Sequence, residues 1–138
     1  MSRKIFISLP VSDLPRARAF YEALGFGNEP AMSNEDGACM VLSEGIHVML
    51  VTLARWRGFT TRPIPDPGSS EVALSFDCPS RDEVDRLIAV GAAAGGQADI
   101  NPPEDHGFMY QRSLADPDGH IWEPFWMEMP EAADPQAQ

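Results

Sequence analysis

The sequence predicts an α+β fold made of two tandem βαβββ modules. Three observations carry that prediction. A strand–helix–strands order occurs twice along the 138 residues. An offset of 65 brings Leu9 onto Leu74, Val11 onto Phe76 and Arg16 onto Arg81. An offset of 74 brings the Glu44-Gly45 turn onto Asp118-Gly119. Such units bury little alone, and pairing their sheets builds one shared curved surface. Module one then covers about residues 3–53, a connector 54–70, and module two about 71–128, within one domain over 1–130.

Each element has a local cause. Lys4 to Pro10 is rich in Ile, Phe and Leu and reads as a buried strand. Ser12 or Asp13 can accept the first free amides of a helix, and Pro15 fits its first turn. Leu14, Ala17, Phe20, Tyr21 and Leu24 recur at helical spacing, and Gly25 and Gly27 end the run. Strands over 38–42 and 46–53 flank a Ser43-Glu44-Gly45 turn. Residues 54–70 bring together Arg55, Trp56, Arg57, Phe59 and Arg62, and then three prolines that break regular structure. This is the connector.

Module two repeats the plan. A strand over 71–78 precedes Ser80 and Glu83, a capping box. Val84, Leu87, Ile88 and Gly91 mark a helix face that ends near Gly95-Gly96. A short strand is expected over 98–100, another over 107–114, and a last one over 120–127 after the Asp116-Pro117-Asp118-Gly119 turn. Residues 131–138 read as a flexible acidic tail.

Composition narrows the function classes. Hydrophobic residues make up 43% and charged residues 22%, which is globular. At this length roughly two-thirds of the extended chain's surface can be buried, so no staples are required. Ten basic residues against 21 acidic ones give a net charge of −11. That charge repels phosphate backbones and anionic lipid, so neither nucleic acid nor a membrane is the expected partner. No apolar run reaches the ~20 residues of a membrane span, and the first ten residues lack a signal-peptide pattern. Cys39 and Cys78 form no C-x-x-C and read as buried reduced thiols. A cytoplasmic location is the expectation.

Two stretches carry a family resemblance: Leu9-Pro-Val-Ser-Asp-Leu-Pro-Arg-Ala-Arg-Ala-Phe-Tyr-Glu-Ala-Leu-Gly-Phe26, and Asp116-Pro-Asp-Gly-His-Ile-Trp-Glu123. Together they resemble the vicinal-oxygen-chelate superfamily of glyoxalase I, extradiol dioxygenases, fosfomycin-resistance transferases and bleomycin-resistance proteins. The resemblance implies sheets that wrap into an open cup, a small-molecule ligand inside it, and a homodimer. Metal-dependent members take ligands from the first and last strand of each module. Carried onto this chain, those positions are Phe6, Met49, Glu71 and Glu123. The 65 offset maps Phe6 onto Glu71, and the 74 offset maps Met49 onto Glu123.

Glu71 and Glu123 could therefore hold a divalent metal, but only two donors remain where catalytic metals usually have three or more. Strand alternation puts Ser8 on the face of Phe6 and His47 on that of Met49, one ~6.6 Å rung away. His47 is then a third ligand, a general base, or a strand histidine bonded to solvent. Each glutamate either pairs with an arginine such as Arg112 or works as an acid or base in a dry cup. Phe108, Tyr110 and Arg112 share a strand face. Facing the cup, they offer a stacking wall, a phenol and a guanidinium; facing the other way, they pack on a helix.

Glu123, His47 and Tyr110 are thus the catalytic candidates. Ser8, Phe6, Met49, Glu71, Phe108, Arg112 and Phe125 are the pocket candidates. The resulting expectation is a glyoxalase- or dioxygenase-like protein that binds a small organic ligand, anionic or aromatic, with lyase, isomerase or dioxygenase chemistry. The alternative is a metal-free protein that sequesters its ligand, as bleomycin-resistance proteins do.

Overall fold

The computed structural model describes residues 3–128, so the expected tail over 131–138 lies outside the described residues. Module one runs β1 (Ile5–Val11), α1 (Leu14–Ala23), β2 (Gly27–Glu29), a 3-10 turn (Pro30–Met32), β3 (Gly37–Ser43) and β4 (Ile46–Thr52). Module two runs β5 (Ala73–Asp77), α3 (Arg81–Ala93), β6 (Gln97–Ala98), β7 (Glu104–Asp105), β8 (Met109–Gln111), β9 (Leu114–Ala115) and β10 (Ile121–Met127). Two curled sheets result, and they form a half-barrel. The first has strand order β1-β4-β3-β2. In the second, β10 pairs with β5 on one side and with β8 and β9 on the other.

The connector departs from the expectation in part. Leu53–Phe59 forms a short helix, α2, because Thr52 accepts the Arg55 amide as its cap. The prolines break the chain only after that. The strand expected over 107–114 is likewise split into β8 and β9, with Arg112 and Ser113 between them.

One side of each sheet packs on its helix, and the two helix sides share a single core. Leu9, Val11, Phe20, Tyr21, Val48 and Leu50 from module one meet Val84, Leu87, Ile88, Leu114 and Trp122 from module two. The contact is tight: a Cβ on Gly96 would come within 2.5 Å of the Ala115 carbonyl and 2.7 Å of the Phe20 ring. At its centre the buried Tyr21 hydroxyl donates to Asp116 Oδ2 at 2.5 Å and accepts from Trp122 Nε1 at 2.9 Å. Burial raises the pKa of both Tyr21 and Asp116. The Asp-Pro-Asp-Gly turn therefore joins the modules as well as turning the chain.

The two modules superimpose with a different spacing from the one the sequence suggests. Asp13 and Ser80 cap α1 and α3, 67 positions apart. Ser8 pairs with Met49, and Ser75 pairs with Glu123. The spacing of the first strands is thus 67, while Met49 still corresponds to Glu123 at 74. A two-residue slip leaves every side chain on the same face, so period-two alternation cannot detect it. The counterpart of Phe6 is Ala73, and Glu71 falls before the strand begins.

Candidate functional site

On the face away from the helices, the floor of module one is apolar and aromatic. Phe6 and His47 are register partners on parallel strands, and their rings stack at 4.5 Å with planes 18° apart. His47 is 8% exposed and its Nδ1 is buried without a hydrogen-bond partner, whereas Phe6 is 45% exposed. Phe6 thus roofs the imidazole and offers its own outer face. Beside this pair, Ser8 and Met49 border a cavity of about 280 Å³ with Met32, Arg55 and Phe59. The Arg55 guanidinium lies 5.8 Å from the Phe59 ring centroid, a cation–π distance. Here α2 adds a cation that the strand pattern did not reveal.

The floor of module two is polar. Glu123 is half-buried, and its Oε1 accepts from Ser75 Oγ at 3.3 Å. It borders a cavity of about 370 Å³ with Gln111, Glu104, Asn101 and Arg112. Phe125 shares its face and stands opposite Gln111 on β8 and Asp77 on β5. Among the described residues no arginine pairs with Glu123, so its carboxylate is available to a ligand. Arg112 borders the same cavity, but its guanidinium is already held by Asp99 at 2.7 Å and Asp85 at 2.9 Å.

Several expected site residues lie elsewhere. Tyr110 sits on the helix side of β8, where its hydroxyl donates to Asp85 Oδ1 at 2.6 Å. Burial, and then that carboxylate, raise the Tyr110 pKa, which makes it a poor base as well as a misplaced one. Arg112 belongs to this helix-side network, and Asp99 raises its pKa further. The reading of Tyr110 as part of a cup wall is therefore corrected, whereas Arg112 borders the Glu123 cavity with its guanidinium already paired. Alternation fixed that they share a parity but not which side that parity faces. Phe108 itself precedes β8 and is exposed, with its ring 6.2 Å from that of His106. Glu71 borders a third cavity at the junction of the modules, away from Glu123.

A metal does not fit these residues within one chain. Phe6 and Met49 offer no oxygen or nitrogen donor, and Glu71 and Glu123 border separate cavities. Among the described residues no three His, Cys, Asp or Glu side chains converge. His47 stacks under Phe6 instead of joining either glutamate. The expected constellation of His47, Glu71 and Glu123 is thus divided among three places.

Paired βαβββ modules whose curled sheets form a half-barrel define the fold class. The family described as the Glyoxalase/Bleomycin resistance protein/Dioxygenase superfamily matches residues 5–123, and the chain belongs to it. A glyoxalase-related enzyme from Fulvimarina pelagi is similar at 25% identity over 97% of this chain and 95% of its own, with a TM-score of 0.77. A hypothetical protein from S. aureus is 24% identical over 91% and 95% of the two chains, also at 0.77. The bleomycin resistance determinant encoded on a transposon is 19% identical over 93% and 100%, at 0.61. No curated protein matches the sequence. No helix among the described residues is long and apolar enough to cross a membrane.

Proposed function

We propose that the protein binds a flat organic anion in a cup that two copies of the chain build together. The observation that carries this reading is the Phe6–His47 stack, which presents an exposed aromatic face beside Met49 and the Arg55 guanidinium. An aromatic ring lies on Phe6, and a carboxylate on the ligand meets Arg55. A hydroxyl or amide on its far side donates to Glu123 of the second copy. Met32 and Phe59 join Phe6 as large apolar side chains left open on one floor, which favours closure by a partner.

A second reading rests on Glu123. A half-buried carboxylate whose side-chain hydrogen bond among the described residues is to a serine can take a proton from a bound ligand. The protein is then an enzyme of the lyase or isomerase kind, and the same cup is its active site.

The test uses 6-hydroxy-2-naphthoate, whose own fluorescence reports binding. Loss of the aromatic platform in Phe6→Ala weakens binding about tenfold, equivalent to about 1.4 kcal/mol. Loss of the acceptor in Glu123→Leu has an effect of similar order. Unchanged affinity in Phe6→Ala would overturn the proposal. Proton exchange from a bound ligand that Glu123→Gln abolishes would favour the enzymatic reading.

A further inference from the structure

The third cavity is the most enclosed by apolar side chains, and it belongs to neither floor. Its volume is about 410 Å³, and it runs between the edges of β1 and β5 beneath the connector. Leu9 forms one wall, Leu74 and Val72 the other, and Trp56, Ile64 and Pro65 the roof. None of its lining residues borders the cavities of Met49 or Glu123.

The groove is a built feature. The Pro65-Asp66-Pro67 segment rests directly on Gly119, where a Cβ would overlap the Pro67 carbonyl; φ is +90° there. Ser12 N–H donates to Asp118 Oδ1 at 2.9 Å, and His120 Nε2 donates to the Pro10 carbonyl at 2.7 Å. These bonds tie module one to module two along the groove.

Its charge is one-sided. Asp66, Glu71 and Asp118 are among the lining residues, and no lysine or arginine is. Asp118 spends Oδ1 on the Ser12 amide, and its Oδ2 is buried without a hydrogen-bond partner. A tryptophan face in the same groove favours a cation as well as a ring.

We propose that this junction groove is a second ligand site, specific for a small molecule with a flat apolar body and one positively charged nitrogen. The body lies against Trp56, Leu9 and Leu74, and the ammonium turns toward Asp118 and Glu71. This inference does not depend on the cup. The two sites also have opposite charge preference: Arg55 marks the cup for anions, and three carboxylates mark the groove for cations.

Isothermal titration of the full chain with tryptamine, tryptophol and indole-3-acetate tests it, because the three share one ring and differ in charge. With the cup occupied by saturating 6-hydroxy-2-naphthoate, tryptamine binds once per chain, and indole-3-acetate binds at least about tenfold more weakly. Val72→Trp, at a position 54% exposed and so tolerant of a larger side chain, blocks the mouth and weakens tryptamine about tenfold or more. Asp118→Asn keeps an acceptor for the Ser12 amide while removing the charge, and weakens tryptamine about threefold to tenfold. Phe6→Ala on the cup floor leaves tryptamine affinity unchanged. The proposal is overturned if tryptamine does not bind, if indole-3-acetate binds equally well with the cup so occupied, or if Val72→Trp or Asp118→Asn has no effect.

Discussion

The two modules share a backbone plan but not a floor. In module one the paired positions Ser8 and Met49 stand beside a stacked Phe6 and His47, whereas in module two the paired positions are Ser75 and Glu123. Module one offers surface for an aromatic ring, and module two offers a carboxylate. The helix sides differ as well. Module one packs β1 and β4 on α1 through apolar side chains, while Tyr110 of β8 and Arg112 just after it meet Asp85 and Arg81 of α3. Duplication has kept the pairing geometry and let each surface acquire its own chemistry.

The sharpest way to break the comparison is at the shared core. Trp122 is fully buried against Tyr21, Phe26 and Phe76. Trp122→Ala is expected to cost about 3–5 kcal/mol by creating a cavity that serves both modules. Urea denaturation followed by circular dichroism should show one transition moved to lower urea. Two separated transitions would mean that the modules fold independently.

A smaller effect belongs to module two alone. Arg112→Ala removes charged hydrogen bonds to Asp99 and Asp85, at a side chain 21% exposed. The expected loss is about 1–2 kcal/mol, less than for a dry ion pair because Asp85 is half in solvent. Binding of 6-hydroxy-2-naphthoate should survive, since Asp99 and Asp85 already occupy the guanidinium. Loss of binding with stability intact would put Arg112 back in the cup.

The pH dependence separates two aspartates with opposite sign. Burial raises the pKa of Asp116, so its contribution to stability is complete below 3.8 and is lost as pH rises through the folded value. The Arg81 fork lowers the pKa of Asp105 to about 2, so its contribution is present above 3.8 and is lost as pH falls toward 2. In urea titrations across pH, Asp116→Asn should remove the loss on the rising side. Asp105→Asn should remove the loss on the acid side. An unchanged profile in either variant contradicts that assignment.

Much of this fold could be read from the sequence because its causes are local. The Asp13 and Ser80 caps, the Leu14-to-Leu24 face and the Glu44-Gly45 turn each act within a few residues. The candidate site was less legible. Alternation correctly put Ser8 with Phe6 and His47 with Met49, but it could not say that Tyr110 and Arg112 face α3. Nor could it detect the two-residue slip that removes Glu71 from the floor. Arg55 stood out as a cation of the connector, but the short helix that carries it did not. The Tyr21–Asp116–Trp122 contact joins residues about a hundred positions apart, and neither motif names the other.

The central claim, that a cup takes one floor from each of two copies, has a direct test by mixing. Phe6→Ala and Glu123→Leu chains each bind 6-hydroxy-2-naphthoate weakly when alone. Subunit exchange between them should create heterodimers in which one cup combines an intact Phe6 floor with an intact Glu123 floor. Fluorescence titration of the exchanged mixture should then show a fraction of sites with full affinity, in proportion to the heterodimer formed. A mixture that titrates as the simple sum of its two parents would contradict the account.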